Sequence, residues 1–203
     1  MAEVKLKDAP QGVKSYCEKG IAAMERGNLS YAMDMFEAAL GVEPQMLHIR
    51  KLLRATAVKK AKTTPSGRLA KIKISGALLR IPSITKKDPF QGLEATEKLL
   101  RTDPLNARIA HAQCEAAIAA GLPEIAIQTL EILKDNHPPS LSILEPLADL
   151  YAEAKNFESE YQCRNAISKL KPNDSAARKK QKDAAARMAL NSGWNKATCE
   201  GKS

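Results

Sequence analysis

From Asn106 to Pro172 one pattern of apolar and small positions occurs twice, 34 residues apart. The first copy runs Ala110, Cys114, Ala117, Gly121, Ala126, Leu130, Leu133, Pro138, and the second Leu144, Ala148, Tyr151, Lys155, Glu160, Arg164, Ile167, Pro172. Within each copy the apolar positions recur every three to four residues, as one face of a helix does. A tight turn (Ala-Gly-Leu-Pro, then Lys-Asn-Phe-Glu) splits each copy into two short helices, and a proline closes it. A further step back by the same interval places Thr96, Leu99 and Pro104 in register. A repeat of this period is one helix–turn–helix unit that buries its core against its neighbours.

The N-terminal stretch Val13 to Pro44 carries the same plan, with Tyr16, Gly20, Ala23, Gly27, Leu29, Ala32, Phe36, Ala39, Leu40 and Pro44. Small residues such as Gly20 and Ala32 let helix axes approach, Gly27 and Asn28 accept turn dihedrals, and Pro44 cannot continue a helix. These positions resemble the tetratricopeptide repeat, and with four units counted the resemblance covers most of the chain. The unit ending at Pro104 is degenerate, and in the last unit Glu160 and Arg164 stand where the family has Ala and an aromatic. The resemblance implies an all-α fold, a right-handed α-solenoid of stacked hairpins with a polar C-terminal cap helix. It also implies a concave groove, lined by the first helix of each unit, that holds an extended peptide or a partner helix. Carried over residue by residue, that groove would present Arg108, His111 and Glu115, then Glu145, Asp149 and Glu153, then Lys179, Lys180 and Asp183. The family's clamp for C-terminal carboxylates needs Lys and Asn where this chain has Cys17, Ile21, His111 and Glu115, so the clamp is absent.

Taken in order, residues 1–11 form a charged leader with Asp8 as a helix cap and Pro10 in the first turn. Helices are predicted over about 12–26 and 30–42. A third, 45–62, carries Met46, Ile49, Leu52 and Leu53 on one stripe and reads as a solvating cap on the first unit. Thr63 to Gly67 breaks the chain. Residues 68–81 mix helical spacing with the strand-like alternation Lys71-Ile72-Lys73-Ile74, and the repeat register favours a helix. Pro82 and Thr85 to Pro89 read as a turn. Helices follow over about 90–102, 105–120, 123–136, 141–154, 157–170 and 174–191, with Trp194 packing back on the last. This organises the chain as leader 1–11, hairpin plus basic helix 12–62, linker 63–67, array with cap 68–195 and tail 196–203.

Charge changes the picture in one place. The net charge is +9, yet Pro44 to Lys87 holds 12 Lys and Arg with no Asp or Glu, while the remainder has 20 basic and 23 acidic residues. The expected basic surface comprises Arg50, Lys51, Arg54, Lys59, Lys60, Lys62, Arg68, Lys71 and Lys73. Three readings stay open: a solvated face that pairs with acidic neighbours, an element that lies on an anionic membrane, and a phosphate-backbone binder. The third lacks an aromatic for base stacking. Elsewhere Glu145, Asp149 and Glu153 share one helix face, where carboxylates repel unless a cation stands opposite; this suits a basic ligand segment, although a solvated face is the commoner reason for such a pattern.

Candidate chemistry is thin. Cys17, Cys114, Cys163 and Cys199 have no paired spacing for zinc or disulfides. His48, His111 and His137 lack a nucleophile arrangement, and Thr64 to Arg68 lacks a phosphate-loop pattern. Three carboxylates on one helix cannot surround a metal. No cofactor, metal or small-molecule substrate is expected. No run reaches the ~18 apolar residues of a spanning helix, and the start has no secretory signal, so a cytoplasmic protein is expected. The functional expectation is a non-catalytic scaffold for a protein segment, the alternative a peripheral membrane adaptor.

Overall fold

A computed structural model describes residues 6–44, 46–64 and 67–200, of which Lys7, 68–72 and 192–200 are described by backbone alone. After a 3-10 turn at Leu6–Asp8 come eleven helices: α1 (Gln11–Glu25), α2 (Leu29–Val42), α3 (Leu47–Thr63), α4 (Arg68–Leu78), α5 (Ile81–Lys87), α6 (Pro89–Thr102), α7 (Ala107–Ala119), α8 (Pro123–Asn136), α9 (Leu141–Glu153), α10 (Phe157–Leu170) and α11 (Ser175–Glu200). No strand occurs among the described residues. The chain is all-α and built from helical hairpins, as the period implied. Its contacts divide it into two compact units, Met1–Thr129 and Leu130–Ser203, whereas the sequence reading set its break at 63–67.

Three hairpin turns share one backbone geometry. At the end of α1, Gly27 has φ +79°, its N–H donates to the Met24 carbonyl (3.2 Å), and Asn28 N–H donates to Ala23 (2.9 Å). After α7, Gly121 has φ +72°, donates to Ile118 (3.0 Å), and Leu122 donates to Ala117 (2.9 Å). After α9, Lys155 has φ +57°, donates to Ala152 (3.1 Å), and Asn156 donates to Tyr151 (2.9 Å). Each is a left-handed residue that turns back to satisfy the last carbonyls of the helix it ends. Asn28 and Asn156 then cap the next helix by accepting from Tyr31 N (3.3 Å) and Ser159 N (3.2 Å).

In the first unit α1 lies on α2, α2 on α3, and α6 on both α5 and α7. Phe36 is fully buried against Gly20, where an added Cβ would stand 2.5 Å from the ring. That is closer than any real contact, so the crossing requires glycine. Met33, Met46 and Ile49 complete this core without exposure. In the second unit α9 packs on α10 and α10 on α11.

Four local expectations are corrected. Asp8 lies in the 3-10 turn and α1 starts from Pro10 without a side-chain cap. Pro82 does not mark a turn: it stands in the first turn of α5, where its missing N–H costs nothing. Asp88 caps α6, accepting from Phe90 N at 2.9 Å and Gln91 N at 3.2 Å. α11 continues to Glu200, so residues 192–200 are helical rather than a closing tail. The packing of Trp194 and the setting of Cys199 lie outside the described side chains. Finally, α3 is no solvating cap, because Arg50 and Arg54 are buried in it.

Lys155 holds the left-handed conformation that glycine holds in the other two turns, at a steric cost of roughly 1–2 kcal/mol. Lys155→Gly is therefore expected to raise the stability of the second unit by about 1 kcal/mol in urea unfolding. An unchanged or lower midpoint would show that the lysine side chain contributes something the backbone geometry does not require.

Candidate functional site

The residues expected to line a groove fall in two groups. Arg108, His111 and Glu115 stand on α7, in the first unit, and border a shallow depression of ≈320 Å³ with Ala112, Leu78 and Leu79. Leu79 is 78% exposed there. Glu145, Asp149 and Glu153 stand on α9 and Lys179, Lys180 and Asp183 on α11, in the second unit. The cations that the α9 carboxylates require come largely from this chain: Lys171 Nζ lies 3.2 Å from Glu145, and Arg164 Nη2 donates to Asp149 at 2.5 Å. Glu153 is exposed and has no partner among the described residues.

Behind Asp149 a line of charge runs into the second unit. Glu160 is fully buried and accepts from Arg187 twice, from Nε at 3.2 Å and Nη2 at 2.6 Å. Its hydrogen bonds hold the Arg187 guanidinium above its usual basicity. Buried Arg164 stands between the two carboxylates, with Nε 3.8 Å from Glu160. Glu160 and Arg164, which depart from the repeat pattern, thus replace apolar packing with a chain of alternating charges.

The basic stretch is two-faced. Met46, Ile49, Arg50, Leu53, Arg54 and Ala57 recur at helical spacing and are all buried. Arg50 and Arg54 are therefore not part of a basic surface, because the periodicity of α3 turns them inward. Arg50 donates to the Pro44 carbonyl (Nη2 at 2.5 Å, Nε at 3.2 Å) and pairs with Glu97 on α6. Arg54 donates to nothing described. Burial lowers both guanidiniums to a pKa of about 10. On the opposite face His48, Lys51 and Lys59 are exposed with Lys62, while Lys60 donates to Ser30 Oγ at 2.9 Å. Lys73 on α4 is exposed, and the side chains of Arg68 and Lys71 lie outside the described ones.

Sequence reasoning missed a trough of ≈580 Å³ in the first unit, between α2, α3 and α6. Leu40, Leu53 and Leu93 form its buried floor and Phe90, 42% exposed, one wall. Glu37, Glu94, Glu97 and Lys98 stand around it. Arg101 on α6 fixes the two sides by pairing with Asp34 (2.5 Å) and Glu37 on α2. The available signal was Phe90 itself, an aromatic on the first turn of a helix rather than on its apolar stripe.

Cys17, Cys114 and Cys163 are buried free thiols that burial pushes up, Cys114 to about 12, so they stay neutral. Among the described residues no three His, Cys, Asp or Glu side chains cluster as a metal site would need. None of the helices searched is long and apolar enough to cross a membrane.

No family model matches the chain, and no curated protein matches it. Among solved structures it is similar to a tetratricopeptide repeat protein of Parabacteroides merdae, with 16% identity and a TM-score of 0.45 over 90% of this chain and 76% of that one. A thermophilic tetratricopeptide repeat protein of Thermus thermophilus matches with 16% identity and a TM-score of 0.43, over 86% of this chain and 99% of that one.

Removing Glu160 would leave Arg164 buried beside Asp149 alone and strip Arg187 of its acceptor. Breaking a buried pair from one side costs about 3 kcal/mol or more. Glu160→Ala should accordingly lower hydrogen-exchange protection across α10 and α11 while leaving α1 and α2 unchanged. Unaltered protection in α10 would show that the charge line contributes nothing to that unit's stability.

Proposed function

We propose that the protein is a non-catalytic interaction module that holds a segment of a partner protein on its helical hairpins. The supporting observation is the trough of the first unit, with an apolar floor, one exposed aromatic wall and carboxylates on its rim. A buried apolar floor ringed by polar groups is the usual form of a recognition groove. Of the rim carboxylates, Glu97 is engaged by Arg50 and Glu37 by Arg101, while Glu94 has only the exposed Lys98 four residues on. Such a pair is worth a few tenths of a kcal/mol and exchanges readily for a better partner. The segment that fits presents one aliphatic or aromatic anchor beside a Lys or Arg. The α7 depression with Arg108, His111 and Glu115 is a second contact region on the same unit. Of the α9 carboxylates, Glu145 and Asp149 are less suited to a basic ligand, because Lys171 and Arg164 already answer them.

Selection from a random peptide library on the immobilised chain tests this. Enriched peptides should combine an apolar anchor with a basic neighbour, and Phe90→Asp or Glu94→Lys should weaken them about tenfold or more, since each removes roughly 1–2 kcal/mol. Peptides that bind both variants as well as the native chain would remove the trough from the site, and no enrichment would count against the module itself.

A second reading rests on the outer face of α3, where Lys51, Lys59 and Lys62 are exposed without an acidic partner among the described residues. We infer that this face would favour an anionic lipid surface, each Lys adding about 1 kcal/mol. Replacing the three by Gln should abolish co-sedimentation with phosphatidylserine vesicles at low salt, and native binding should fade by 0.5 M salt as screening shortens. Absence of sedimentation at low salt would eliminate this reading.

A further inference from the structure

Arg54 is the least satisfied group in the protein. It is 6% exposed, and Nε, Nη1 and Nη2 all lack a hydrogen-bond partner. It borders a cavity of ≈10 Å³ closed by α3, α6, α7 and α8 within the first unit. Three arginines line this space, Arg50, Arg54 and Arg101, with one acidic residue, Glu97. Arg50 takes Glu97, and Arg101 takes Asp34 and Glu37, so Arg54 is left with a full positive charge and no counter-ion.

The neighbours do not cure this. With a pKa of about 10, Arg54 stays protonated at neutral pH. The Cys114 thiol, the other titratable group set against it, is pushed up to about 12 and remains uncharged. Gln113 is buried, and its Oε1 lies 2.8 Å from Thr129 Oγ1, whose single proton is equally within reach of the Ile125 carbonyl at 2.8 Å, so this amide brings no charge to answer Arg54. Of the residues that line the cavity, the one carboxylate, Glu97, is already engaged by Arg50, and Gln113, Gln128 and Thr129 are neutral. A space of this size admits one water-sized body and excludes phosphate, sulfate or a carboxylate. Water would satisfy hydrogen bonds but leave the charge in a low-dielectric interior, which is costly.

We propose that the cavity is a binding site for a single monatomic anion of halide size, chloride in ordinary solution, held by the Arg54 guanidinium. The ion completes the interior of the first unit and makes its stability depend on halide concentration. The dependence follows ligand linkage: binding to the folded state alone raises stability with the logarithm of ligand concentration above the dissociation constant.

The test compares the full chain in sodium chloride, sodium bromide and sodium gluconate at one ionic strength. Melting temperature should be higher in the halides by roughly 2–4 °C once chloride exceeds its dissociation constant about tenfold. Arg54→Met, which fills a similar volume without charge, should remove the difference between salts. Crystals grown in bromide should show an anomalous peak beside the Arg54 guanidinium, a readout that does not depend on the variant folding. Equal melting in all three salts, a salt difference that persists in Arg54→Met, or a bromide-free cavity would each overturn the assignment.

Discussion

Everything in this chain depends on a helix being ended by one residue in the left-handed conformation. At Gly27, Gly121 and Lys155 the same pair of backbone hydrogen bonds closes the helix and returns the chain along it. Because the return is fixed by backbone geometry, the faces that meet are fixed too. Ala and Gly must lie where axes cross, and larger side chains fill the flanks. The last two of these turns stand one repeat period apart, so the spacing of small residues in the sequence is a trace of a backbone constraint.

Charge in the interior is the second organising feature, and it takes opposite forms in the two units. In the second unit Asp149, Arg164, Glu160 and Arg187 alternate in sign, and each guanidinium has a carboxylate. In the first unit Arg50 and Arg101 are answered but Arg54 is not. A charge line that closes on itself rigidifies its surroundings, whereas an unanswered charge defines a place for something else.

Much of the fold was legible because its signals are local. Helix periodicity and the turn glycines act within a few residues. α5 was not legible, because Pro82 and Pro89 both read as breaks although each stands in the first turn of a helix, where proline is tolerated. The burial of Arg50 and Arg54 was hidden by treating charge as a guide to exposure, when their helical phase with Ile49, Leu53 and Ala57 pointed inward. The candidate site was least legible of all. Its floor comes from Leu40, Leu53 and Leu93, on three helices separated by long stretches of chain, and no local pattern records such a meeting.

The ion pairs of Arg101 with Asp34 and Glu37 bear on the order of assembly. The α1–α2 hairpin and the α9–α10 hairpin need only neighbours in sequence, so each can form early in folding. α6 must instead return across α3, α4 and α5, closing a loop of 64 residues between Glu37 and Arg101. Loop closure of that length costs a few kcal/mol before any contact is made, and contacts of high sequence separation form slowly. During synthesis the trough therefore has only its α2 and α3 sides until Arg101 has left the ribosome.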